Sequence, residues 1–154
     1  MPASLTPAPG LPYTGRVTGK CAALLALPMV LLGASPSRAE HEVSSRYTVL
    51  GYITDAQGRA RPGVKVELVR EKTGFSYVTD TDKNGLYVIV ARLGDESAGE
   101  ALQLRMGRQS VKLRAHFDPK DHTHERGTRV DFVGGRSLET PTAFAATLKR
   151  FLAQ

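Results

Sequence analysis

The chain contains no tryptophan and one cysteine, Cys21. A single cysteine excludes an intrachain disulfide and the thiolate-rich metal sites that need several such ligands. Without tryptophan, a core has to be assembled from Val, Leu, Ile, Tyr and Phe, and aromatic residues make up only 6% of the chain. Long apolar runs are scarce too. The longest candidate, Cys21–Gly33, falls short of the roughly 20 residues a membrane-spanning helix needs, and Pro28 interrupts it. No nucleophile stands in a recognisable pairing with a base, so no catalytic residues are assigned from sequence.

The interrupted run is better read as the apolar part of a cleaved leader. Arg16 and Lys20 precede it, and the small residues Ser37 and Ala39 follow as an Ala-x-Ala type of cleavage site. Residues 1–39 are therefore expected to be removed, and the mature protein to be periplasmic or secreted. Cys21 opens the run, whereas a bacterial lipid-attachment cysteine would follow it. Losing Arg16, Lys20 and Arg38 takes Lys+Arg from 21 to 18 against 15 Asp+Glu, so the net charge falls from +6 to +3. That value is ordinary for a small domain and gives no reason to expect nucleic acid as a partner.

After a flexible stretch at 40–46, residues 47–135 alternate in strand fashion. Tyr47, Val49 and Gly51 interleave with Thr48, Leu50 and Tyr52 in a first strand. Val64, Val66 and Leu68 oppose Lys65 and Glu67 in a second, and Phe75, Tyr77 and Thr79 mark a third. Asp82-Lys83-Asn84-Gly85 predicts a tight hairpin, since Asn-Gly accepts positive φ. Leu86–Ala91 is apolar without alternation and predicts a central strand buried on both faces. Leu102, Leu104 and Met106, then Val111, Leu113 and Ala115, then Val130 and Phe132 complete seven strands, the last ending at Gly134-Gly135. Residues 136–154 form a linker and a helix, in which Phe144, Ala145, Leu148, Phe151 and Leu152 recur at helical spacing behind Thr140-Pro141.

These residues resemble a known family. Gly51-Tyr52-Ile53-Thr54-Asp55 with Gly58, Pro62-Gly63-Val64-Lys65-Val66, Thr79-Asp80, Asn84-Gly85-Leu86-Tyr87 and Gly107 follow the order and spacing of the carboxypeptidase regulatory-like domain, a transthyretin-like (prealbumin-like) β-sandwich. The resemblance spans residues 47–117. It implies a seven-stranded Greek-key sandwich without catalytic residues, cofactor-binding residues or a cofactor, acting as a binding module; the short C-terminal amphipathic helix lies outside the match. The related transthyretin-like hydrolases of purine breakdown end in Tyr-Arg-Gly-Ser, and this chain ends Phe151-Leu152-Ala153-Gln154. The functional expectation is an exported, non-enzymatic module for protein or ligand interaction in the cell envelope.

Four groups of residues are singled out beside that expectation. His116, His122 and His124 lie among Asp118, Asp121 and Glu125, and an extended His122-Thr123-His124 would aim two imidazoles to one side. They define the alternative, a small copper- or zinc-binding protein, because imidazole is the commonest ligand for those ions; acid–base chemistry in the same loop is a further reading. Phe144, Leu148 and Phe151 are candidate partner-binding residues, with Lys149 and Arg150 placed for peripheral contact with a membrane surface. Arg105, Arg108, Lys112 and Arg114 are expected on a solvated basic face. Asp80–Gly85 opens like a calcium loop, but the twelfth position, where a bidentate Glu is needed, is Ala91.

Overall fold

The computed structural model describes residues 45–154. The leader, its cleavage site and His41 lie outside the described residues. Eight strands and one helix follow in order: β1 Arg46–Thr54, β2 Lys65–Arg70, β3 Ser76–Asp80, β4 Leu86–Arg92, β5 Ala101–Met106, β6 Gln109–Arg114, β7 Gly127–Val133, β8 Arg136–Glu139 and α1 Phe144–Leu152. They form two four-stranded sheets, ordered β4-β1-β7-β8 and β3-β2-β5-β6. The fold is an all-β sandwich with a short C-terminal helix. Among the described residues, no helix is long and apolar enough to cross a membrane.

Strands covered on one face follow the alternation of the sequence. Val66 and Leu68 of β2, Leu102 and Leu104 of β5, and Val130 and Phe132 of β7 turn inward and are buried between the sheets. They meet Val49 and Ile53 of β1 and Tyr87 and Ile89 of β4. Intervening polar residues such as Lys65 and Arg105 face solvent.

Four expectations are corrected. First, β4 is an edge strand, and β1 is the strand buried on both faces. The apolar run Leu86–Ala91 reports burial, but Val90 is exposed, and the central place belongs to β1, which pairs antiparallel with β4 and parallel with β7. Second, Asp82–Gly85 is no hairpin. β3 and β4 belong to different sheets, so this turn carries the chain across the sandwich. The Asp82 carboxylate accepts from the Asn84 and Leu86 amides at 2.8 and 2.9 Å, and Gly85 sits at φ +75° with its backbone close against the Ile53 carbonyl. Third, the Gly134-Gly135 pair does not end the sheet. With φ of +53° and +88° it makes the two-residue turn into an eighth strand, β8, whose residues are all exposed. Fourth, Arg46, assigned to the flexible segment, already belongs to β1.

The helix explains the burial of β1. Phe144 and Leu148 pack on Leu50 and Val88, on the side of that sheet away from the main core. Gly127 makes this approach possible, since a Cβ there would run into the Thr48 carbonyl and the Phe144 ring. The Thr140 side chain makes no capping hydrogen bond, and Pro141–Ala143 forms a 3₁₀ turn before α1. A helix of nine residues depends on such packing, because it is too short to hold itself in water.

Candidate functional site

The segment between β6 and β7 carries most of the chemistry-bearing side chains, and a buried arginine fixes it. The Arg126 guanidinium pairs with the Asp95 carboxylate at 2.8 Å and donates to the Asp121 carbonyl at 3.0 Å. It also lies over the Phe117 ring, 4.4 Å from its centroid. Phe117 in turn contacts Tyr47 of β1, ring centroids 5.9 Å apart. The segment is thus tied to β1 and to the 3₁₀ turn Asp95–Ser97.

On this frame Asp121 organises a tight local network. One carboxylate oxygen accepts from the Thr123 amide at 2.9 Å, the Thr123 hydroxyl at 2.7 Å and the His124 amide at 3.2 Å. The other lies 2.8 Å from His124 Nδ1. The Thr123 amide and hydroxyl, with the His124 ring, hold the Asp121 carboxyl well below the usual carboxylate range. An ionised carboxylate only accepts, so Nδ1 carries a proton in this contact, and Nε2 is the ring nitrogen turned away from Asp121.

The chain bends at Thr123-His124 instead of running extended. His122 Nε2 lies 4.0 Å from Asp95 and His124 takes Asp121. His116 lines a polar cavity of about 400 Å³ with Glu71, Lys112, Arg114 and Glu139, and shares a smaller one of about 150 Å³ with His124, Asp118 and Asp121. Among the described residues, no three His, Cys, Asp or Glu side chains are grouped so as to hold a metal ion. Nothing local to Asp95 announces that two strands later the chain will bring Arg126 and His122 against it. The Asp121–His124 spacing, by contrast, is a local turn signal.

Beside His124 runs a groove of about 410 Å³, between Thr123, His124 and Glu125 on one side and Ala145, Leu148, Lys149, Leu152 and Ala153 of the helical tail on the other. Of the candidate partner-binding residues, Phe144 and Leu148 are occupied within the chain, while Phe151 is 38% exposed. The basic side chains on β5 and β6 are exposed, and Arg105 is held by Gln103 at 2.6 Å with Glu67 at 3.7 Å.

No family model matches the chain, and no curated protein matches it either. Solved structures do. The dioxygenase domain of a dioxygenase carbohydrate-binding protein fusion from Streptomyces sp. SirexAA-E is 16% identical, covering 58% of this chain and 79% of that one, with a TM-score of 0.40. Chlorocatechol 1,2-dioxygenase from Pseudomonas putida is 9% identical, covering 60% and 61%, with a TM-score of 0.42. (S)-allantoin synthase is 10% identical, covering 64% and 44%, with a TM-score of 0.43.

These findings correct the family resemblance. The chain is matched by no carboxypeptidase regulatory-like family model, and the structures similar to it are enzymes. With the resemblance go the expectations drawn from it: a transthyretin-like binding module, the absence of enzymatic activity and the absence of a cofactor. The copper or zinc alternative is withdrawn as well: among the described residues, no three His, Cys, Asp or Glu side chains are grouped so as to hold a metal ion. At these identities and TM-scores, no activity, substrate or metal passes from those enzymes to this chain.

Proposed function

We propose that the 118–127 segment forms an acid–base site in which His124 moves a proton to or from a small bound molecule. The observation that carries this reading is the 2.8 Å contact between Asp121 and His124 Nδ1. A carboxylate on one ring nitrogen fixes the tautomer and orientation of the imidazole, which leaves the other nitrogen as a directed base. The Asp121 carboxylate is itself held by three donors, so the ring is oriented by an anchored group. Open space adjoins the imidazole on the side of α1, where a molecule can approach.

A proton-transfer probe tests this directly. Nitrobenzisoxazole opens when a base removes its ring C–H proton: the electron pair forms the nitrile, the N–O bond breaks, and its oxygen becomes the phenolate of the same cyanophenolate product. The protein should accelerate this opening beyond an equal concentration of free imidazole, and His124→Gln should return it to the uncatalysed rate. An equal rate in the wild type and His124→Gln proteins would sink the reading.

A further inference from the structure

We infer that the groove between the 123–125 segment and α1 is a binding site for a small neutral molecule with an apolar body and one hydroxyl-type head. The placement of the head rests on the acid–base reading of His124; the placement of the body does not.

Size and shape come first. A concave space of about 410 Å³ falls within the range of small-molecule sites, roughly 300–1,000 Å³. The helical side presents Ala145, Leu148, Leu152 and Ala153, all apolar. Leu152 is 71% exposed, a large apolar side chain that a bound hydrocarbon would remove from water.

Charge decides the head. The groove carries one anion, Glu125, and one cation, Lys149, and neither is ion-paired among the described residues. A carboxylate head would gain Lys149 but meet Glu125, and it would bring no proton to the unprotonated Nε2 of His124. An ammonium head would gain Glu125 but meet Lys149. A hydroxyl satisfies both sides: its proton is donated to His124 Nε2, and its oxygen accepts from the Lys149 ammonium. This arrangement also suits proton abstraction, since Lys149 is the one cation lining the groove that could meet negative charge developing on that oxygen.

The test uses the full chain and three ligands with the same hydrocarbon body: hexan-1-ol, hexanoate and hexylamine. Titrations are followed by the methyl resonances of Ala145, Leu148, Leu152 and Ala153 and by the ring nitrogens of His124. Hexan-1-ol should perturb these signals, the two charged analogues should bind several-fold more weakly, and Ala145→Trp should abolish the effect by filling the groove. Absence of perturbation, perturbation centred elsewhere, or tighter binding of either charged analogue overturns the inference. The His124 tautomer is read first on the ligand-free protein. A proton on Nε2 there overturns the acid–base reading and the head placement together, whereas Nδ1–H with an unoccupied groove overturns the inference alone.

Discussion

The Tyr87 hydroxyl donates a 2.6 Å hydrogen bond to the Val130 carbonyl, reaching past β1 at the position where that strand has no side chain. Tyr87 is paired with Gly51, and a Cβ on Gly51 would collide with the Val130 carbonyl. The parallel ladder between β1 and β7 is interrupted here, between Leu50↔Arg129 and Ile53↔Phe132. Side chains take over its bonds: Tyr87 serves the Val130 carbonyl, and the Asp131 carboxylate accepts from the Tyr52 amide at 2.8 Å. Arg129 holds that carboxylate at 2.8 Å and reaches Thr147 of α1 at 3.1 Å, which joins β1, β7 and the helix.

Tyr87→Phe should therefore cost about 2 kcal/mol, because it leaves a buried carbonyl without a donor while the ring stays packed. Gly51→Ala should cost more, since backbone rather than a flexible side-chain end blocks the new Cβ. Urea unfolding of both variants against the wild type checks the order.

Removal of residues 144–154 should lower stability by about 3 kcal/mol. It strips the cover from Leu50, which is fully buried, and discards the burial of Phe144 and Leu148, less the entropy regained by the freed segment. Gly127→Ala should also be strongly destabilising, since its Cβ would meet the Thr48 carbonyl of the β1 backbone as well as the Phe144 ring. Thermal unfolding monitored by circular dichroism gives both values.

Stability should fall at both ends of the pH range, for separable reasons. Arg70 grips Glu100 through two hydrogen bonds of 2.7 Å, and this holds the Glu100 carboxyl below its ordinary value of 4.5. A depressed folded-state pKa means that the contribution is present above that value and is lost as the pH falls through the folded pKa. Glu100→Gln should flatten the acid limb. Burial pushes the Tyr47 hydroxyl up to about 12 from 10.0. A raised folded-state pKa means the contribution is complete below pH 10.0 and is lost on the way to about 12, so Tyr47→Phe should flatten the alkaline limb. Denaturant midpoints measured across pH resolve the two.

His124→Gln should leave the unfolding midpoint unchanged to within about 0.5 kcal/mol, because the ring is exposed. Asp121→Asn should release the tautomer: an amide offers the Nδ1 proton a weaker acceptor, and the ring nitrogen shifts should move toward a mixture. Nitrobenzisoxazole opening should fall in both variants, fully in the first and about tenfold in the second.

Strands covered on one face are legible in the sequence because burial writes itself as alternation; β2, β5 and β7 are of this kind. β1 defeats the pattern because its second cover, Phe144 and Leu148, arrives from the far end of the chain. In β4 the apolar run records burial without naming a neighbour, so an edge strand reads as a central one. β8 is missed because Arg136-Ser137-Leu138-Glu139 is exposed throughout and has no apolar face to reveal it. Asp82–Gly85 serves a hairpin or a sheet crossing with the same turn chemistry, and only the partners of β3 and β4 distinguish the two. At the site, Asp121 and His124 are sequence neighbours and could be named in advance, whereas Asp95 joins them through the tertiary fold.

The place of β1 in its sheet also dictates an order of assembly. Its antiparallel partner, β4, ends at Arg92, but the strand that closes its other side does not begin until Gly127. A nascent chain that stops short of that glycine holds the future centre of the sheet with one row of amides and carbonyls open to any passing strand. The interval between the synthesis of Arg92 and Val133 is thus the period in which this protein is most exposed to mispairing, and the completion of β7 brings that period to an end.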